Sequence, residues 1–292
     1  MKKFELTDEF ITNAFGNKLF RIKAIVDFGT IRAGELGGFV EKEENLSNDD
    51  NAWVSGNARV SDDARISDDA RISGNAQVSG NASVFGNASV SDDARISGNA
   101  QVYGNASVFG NAWVSDDARI SGNAQVSGNA LVYDNAQVYG NASVYGNAWV
   151  YDDARISGNA QVSGNARVSD DARISGNAQV SGNARVSDDA RISDDARISG
   201  NAQVSGNASV FGNADYAVVE GFGRYFRATT FFRCKDKILR VQCGCFYGDL
   251  AEFREIVKKT HGDSKYAKEY LAIADLMELH FSDDEGRQEA AE

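Results

Sequence analysis

The sequence predicts a mainly β, repetitive solenoid. Three observations predict it: a strict six-residue period, corners built from Gly-Asn or Asp-Asp, and the absence of proline from all 292 residues. From position 54 to position 210 every sixth residue is Val or Ile, which makes 27 consecutive units with nothing inserted or lost. A typical unit is Ala58-Arg59-Val60-Ser61-Asp62-Asp63. A period of six matches neither a 3.6-residue helix nor an unbroken strand, but it suits short strands joined by corners.

The first 50 residues differ in kind and are expected to form an N-terminal cap, because a solenoid must close its open end. They contain one expected strand at 19–28, a glycine-rich turn (Gly34, Gly37, Gly38) and an acidic stretch at 41–50. Residues 51–214 are the repeat. Within a unit, Ala and Val/Ile stand two apart and share one side of a strand, so the inner side is small plus β-branched and the outer side polar. Gly, Asn and Asp tolerate positive φ at the corners. Proline has no N–H to give to a ladder between coils, which accounts for its absence. Corner asparagines such as Asn105, Asn123 and Asn141 are spaced to form side-chain amide ladders. Asp-Asp is followed by Ala-Arg-Ile on all eight occasions, which reads as local charge compensation between the arginine and its own corner.

Residues 215–292 leave the repeat and read as a small α+β domain, a strand pair plus two helices. The strands are expected at 229–234 and 238–243 around a turn at Lys235-Asp236-Lys237. Asp249-Leu250-Ala251-Glu252 is a capping box for a helix to about Thr260, Gly262 is placed to stop it, and Ser264 caps a second helix reaching about His280.

With these modules laid out, the repeat resembles the hexapeptide repeat of left-handed parallel β-helices, in which three units make one triangular coil. The left hand and about nine coils are what the resemblance implies; at ~4.8 Å per coil the prism would be about 43 Å long. The segment Gly34-Glu35-Leu36-Gly37-Gly38-Phe39-Val40-Glu41-Lys42-Glu43-Glu44-Asn45-Leu46-Ser47 resembles the opening of bacterial and prophage hexapeptide-repeat proteins, some of them named as acyltransferases. That resemblance implies a shared cap more than a shared reaction. Residues 230–271 are similar to a small C-terminal domain attached to repeat proteins of gut bacteria and their phages.

Charge and composition narrow the function. With 42 acidic against 30 basic residues the net charge is −12, which speaks against direct nucleic-acid binding of the usual basic kind. Neither a leader peptide nor a run of about 20 apolar residues is visible, so no membrane partner and a soluble, cytoplasmic bacterial protein are expected. Hexapeptide-repeat acyltransferases typically use a histidine on a loop that interrupts the coils. Here the two histidines, His261 and His280, both lie in the C-terminal region, and no rung position matches that base. No catalytic residue, cofactor or metal is assigned. Cys243, Cys245 and His261 form the one cluster with thiol or metal chemistry in view, read first as small buried thiols in a strand pair. Regular outward threonine arrays, the mark of ice-binding β-helices, are missing from 51–214.

Because residues 18 apart stack, the outer faces can be laid out by arithmetic. Trp113, Leu131 and Trp149 form a column with Tyr133 and Tyr151 beside them, flanked on a second face by Phe109 and Tyr145 and on the third by Phe85, Tyr103 and Tyr139. Such a patch is rarely left bare, and its aromatic content is typical of interface anchors. Self-association is the first expectation, a trimer by the habit of the family; a host protein is the second partner. The next corner carries an acidic ladder, Asp116-Asp117, Asp134, Asp152-Asp153, Asp170-Asp171 and Asp188-Asp189. Bound divalent cations and mimicry of DNA toward a basic protein are the sharper readings of that ladder. The resulting expectation is a non-enzymatic assembly or binding protein, with a phage-related inhibitor of a host defence component as its finer form. An acyltransferase and an acidic DNA mimic are the alternatives.

Overall fold

The computed structural model describes residues 2–282 and divides into two compact units, Met1–Asn165 and Ala166–Glu292. The first unit opens with an antiparallel meander, β1 (Phe4–Thr12), β2 (Lys18–Ala24) and β3 (Leu36–Val40). The single strand expected at 19–28 is therefore a correction: β2 stops at Ala24, and residues 28–31 close a tight turn in which Phe28 and Ile31 exchange backbone hydrogen bonds. Strand β3 then pairs in parallel with Arg59–Val60, handing the meander over to the repeat.

Two glycines make that hand-over fit. A Cβ on Gly37 would lie 2.6 Å from the Val54 carbonyl oxygen, and one on Gly38 would lie 2.7 Å from that of Ala58. The glycine-rich turn expected at Gly34, Gly37 and Gly38 is corrected at the last two, which lie within β3 and form a close-approach site where the cap crosses the first coil.

Each hexapeptide unit contributes a two-residue strand, and strands three units apart pair in parallel and in register. Arg95 pairs with Trp113, Gln101 with Arg119 and Ser107 with Gln125, one example from each of the three sheets. Within each unit every Ala and every Val/Ile of the repeat is buried, so the sheets enclose a core of small and β-branched side chains. Three N–H groups per unit donate to the following coil, for instance Gln77 to Ala94 O (2.9 Å), Ser79 to Ile96 O (3.0 Å) and Asn81 to Gly98 O (2.7 Å). Proline at any of them would delete a rung bond.

The first corner residue adopts left-handed backbone throughout, whether it is Gly (Gly122, φ 67°) or Asp (Asp116, φ 55°). Several of the corner aspartates take up a corner N–H one coil on: Asp92 Oδ2 accepts from Gly110 N at 3.0 Å, and Asp68 Oδ2 from Gly86 N at 2.8 Å. The second corner residue builds the amide ladder. Nδ2 of Asn105 donates to Asn123 Oδ1 (3.0 Å), Asn123 to Asn141 (2.9 Å) and Asn141 to Asn159 (3.0 Å), always in the same direction.

The second unit continues the pattern from Arg167–Val168 to Ser209–Val210 and then changes architecture. The expected strand pair is a four-stranded antiparallel sheet, ordered Tyr216–Val219, Thr229–Arg233, Leu239–Cys243, Phe246–Asp249. The strand Thr229–Arg233 is covered on both faces. Its Thr230 hydroxyl accepts from Gln203 N at 2.9 Å on the rung side, while Phe231 packs with Phe253, Tyr270, Ile273 and Met277 on the helical side. Helix α1 (Leu250–His261) starts at the reciprocal Asp249–Glu252 capping box and ends at Gly262; α2 (Lys265–Ser282) follows, with Ser264 Oγ accepting from Ala267 N at 3.3 Å. Among the described residues no helix is long and apolar enough to cross a membrane.

Candidate functional site

Trp113, Leu131 and Trp149 occupy successive paired strands of one sheet in the first unit, each projecting from the outer position next to a buried valine. Trp113 is 45% exposed even though its indole Nε1 donates to Ser97 Oγ at 3.1 Å, which lays the ring along the preceding rung. Beside the column, Tyr133 and Tyr151 stack with centroids 5.1 Å apart and planes 2° from parallel. Coil spacing itself imposes this face-to-face contact. Leu131, Trp149 and both tyrosines are half-buried. The remainder of this face in the first unit is Arg59, Gln77, Arg95 and serines, so the apolar residues form one continuous island.

Phe109 and Tyr145 lie on a second sheet with Ser127 between them, and Tyr145 donates its hydroxyl to Gln161 Oε1 at 3.3 Å. Phe85 and Tyr103 stack at 4.9 Å on the third. These residues decorate other sides and do not extend the island.

Within the first unit Asp116, Asp134 and Asp152 all occupy the left-handed corner position, at φ 55–56°. Asp116 accepts from Ser115 Oγ (2.9 Å), and Asp117 terminates an amide chain, receiving Asn99 Nδ2 at 3.0 Å. In the second unit Asp170 and Asp188 take the same position; Asp170 accepts from Ser169 Oγ at 2.8 Å and Asp188 from Gly206 N at 2.9 Å. Asp153, Asp171 and Asp189 stand exposed in the second corner position. The ladder is therefore tied into the backbone. The charge-compensating contact expected at Asp116-Asp117-Ala118-Arg119 is corrected: Arg119 projects into solvent and pairs with no carboxylate among the described residues.

In the second unit Cys243, Cys245 and His261 meet at one cavity of about 210 Å³, lined also by Arg224, Tyr225, Arg227, Phe253 and Tyr270. The reading as buried thiols is corrected in part, since Cys245 is exposed and Cys243 half-buried; Cys234 alone is buried. Burial pushes the Cys234 thiol up to about 11. Thr229 Oγ1 lies 3.2 Å from Cys243 Sγ, and burial together with this neighbouring thiol raises the Tyr270 phenol. No group of three His, Cys, Asp or Glu side chains among the described residues is arranged to hold a metal. The arginines of this cavity were not singled out from sequence; the signal that could have found them is the glycine-punctuated aromatic and basic run Gly221-Phe222-Gly223-Arg224-Tyr225-Phe226-Arg227.

The repeat matches the family model described as the YdcK beta solenoid repeat, over residues 64–80, 76–92, 100–116, 124–138, 136–152, 148–164, 160–176 and 178–191. Among solved structures, the chain is similar to LpxA from Acinetobacter baumannii at 14% identity and a TM-score of 0.31, over 49% of this chain and 71% of that one. It is also similar to the Arabidopsis UDP-N-acetylglucosamine acyltransferase, at 10% identity and a TM-score of 0.28, over 74% and 89% respectively. Among curated proteins none matches the sequence. The matched repeats, the three parallel sheets and the unbroken six-residue period make this chain a β-solenoid repeat protein.

Proposed function

We propose that the chain is a non-enzymatic assembly module whose copies associate through the Trp113–Leu131–Trp149 island. The observation that supports this reading is a continuous aromatic column, part-exposed and flanked by a parallel tyrosine stack, on a face otherwise built from Arg, Gln and Ser. Rigid aromatic rings set on a rigid sheet lose little side-chain entropy on association and are the residues that dominate interface energies. The column also reads the same in both directions, Trp-Leu-Trp, so a two-fold axis through Leu131 would set Trp113 of one copy against Trp149 of the other, as an isologous contact requires. Rung positions offer no histidine that could serve as an acyl-transfer base, which favours assembly over the acyltransferase alternative.

Light scattering after size exclusion tests the proposal. The wild-type chain is expected at a multiple of its 31.4 kDa mass, and Trp113→Arg with Trp149→Arg is expected to return it to a monomer with an unchanged circular-dichroism spectrum. A monomeric wild type, or an oligomer indifferent to the pair, sinks the reading. Two copies rather than three would favour the two-fold arrangement over the trimer that the resemblance implies.

A further inference from the structure

The C-terminal cavity lies wholly within the second unit and shares no residue with the aromatic island. Three of its lining residues, Arg224, Tyr225 and Arg227, stand on the loop 220–228, which is built under constraint. Gly221 and Gly223 take φ of 85° and 72°, and Phe226, a bulky residue that rarely leaves negative φ, sits at 54°. A Cβ on Gly223 would collide with the Tyr270 hydroxyl, so the loop is pressed onto α2 there, and Glu269 Oε2 fixes it by accepting from Gly223 N at 2.9 Å. Strain kept in place by specific contacts is a feature of binding sites rather than of idle loops.

The loop delivers cations to the cavity. The guanidinium carbons of Arg224 and Arg227 lie 5.5 and 4.9 Å from the centroid of the Tyr225 ring, and Arg227 Nη1 reaches over Gly244. Both arginines are exposed and, among the described residues, neither is paired with a carboxylate, in a chain that carries an excess of twelve acidic groups. Behind them the lining turns apolar: Phe246, Phe253, Ile256 and Val257, with His261 stacked on Tyr270 at 5.8 Å. A volume of about 210 Å³ is below that of drug-sized sites and somewhat above the roughly 150 Å³ that accepts benzene.

The geometry points to a binding site for a small amphipathic anion, an aromatic or short acyl carboxylate, with its head on Arg224 and Arg227 and its body in the apolar recess against Phe253 and Val257. A guanidinium suits a carboxylate because its N–H fork matches the two oxygens. Size limits the strength: a ligand of about ten heavy atoms binds such a site at roughly 1 mM.

Cys245 lines the same cavity and is exposed, so its alkylation reports occupancy. With the full chain, phenylacetate at several millimolar is expected to slow iodoacetamide modification of Cys245 several-fold, as read by peptide mass spectrometry, while neutral phenylacetamide leaves it unchanged. Arg224→Gln with Arg227→Gln should abolish the protection. So should Ile256→Trp, which fills the recess but keeps both arginines and thereby separates cavity binding from an anion merely held at the surface. No protection by phenylacetate, equal protection by the amide, or protection that survives either variant overturns the assignment.

Discussion

Lys3 is a charge that the cap encloses. The residue is 3% exposed, and its ammonium donates to the carbonyl oxygens of Asp49 and Asp50 at 3.1 and 3.2 Å and lies 5.0 Å from the Phe28 ring centroid. Burial lowers its pKa from 10.5 to about 8, against the opposing pull of Asp50, Asp49 and Asp69. Between those two values the unfolded chain holds the proton and the folded chain releases it, so this group's contribution to stability rises with pH and is lost as pH falls through about 8. Urea unfolding at pH 8 and pH 9.5 should show the wild type gaining about 1–2 kcal/mol relative to Lys3→Met, the upper end being set by 1.36 kcal/mol per pH unit. An equal gain in both proteins would remove Lys3 as the source. Corner aspartates such as Asp92 carry a different kind of residue-scale device: the left-handed backbone, which Gly would adopt without strain, is offset by a carboxylate that satisfies an N–H of the next coil.

The amide ladder is an element with a polarity. Nδ2 always donates toward the C-terminal coil, so an Asn in mid-ladder both accepts and donates, whereas an Asp can only receive and ends the chain, as Asp93 does after Asn75 and Asp117 after Asn99. Asn123→Asp, which keeps shape but strips the donor to Asn141, should lower the thermal midpoint by a few degrees, a loss of about 1 kcal/mol. Asp117→Asn keeps the acceptor for Asn99 and should be neutral or stabilising; calorimetry on the two variants checks the asymmetry, and equal effects would refute a directional ladder. How far the sequence announced its elements follows from the same physics. The rung strands, their partners 18 residues away, the Asn105–Asn159 ladder and the capped α1 were legible because each is specified by local spacing. Strand β3 was not, since Gly37 and Gly38 weaken strand propensity and are there for a close approach visible only once the chain has folded. The aromatic island was legible as an 18-residue column. Of the C-terminal cavity, Cys243, Cys245 and His261 were named, but its arginines and apolar lining were not, because loops, two strands and two helices bring them together with no common spacing.

For the molecule as a whole, each coil of the first unit bonds to the coils before and after it, so stability is close to a sum of nearest-neighbour terms. Removing residues 119–136, one full coil, should leave a cooperatively unfolding protein with a midpoint within several degrees of the wild type. Removing 119–135 instead puts outward residues, Gln137 first, where buried valines belong and corner residues where buried alanines belong in every later coil, and should abolish cooperative unfolding in a calorimetric scan. Survival of the second deletion would contradict the strict register. The in-register pairing of strands three units apart has a further consequence for how such a chain can diverge. Its interior reads the sequence modulo six, whereas its surface reads it modulo eighteen. A gain or loss of one hexapeptide inside the first unit is silent for packing, yet it reassigns every later outward residue to a neighbouring side and would part Trp149 from Trp113. Recombination among near-identical modules can therefore rewrite what the exterior displays while leaving the interior untouched.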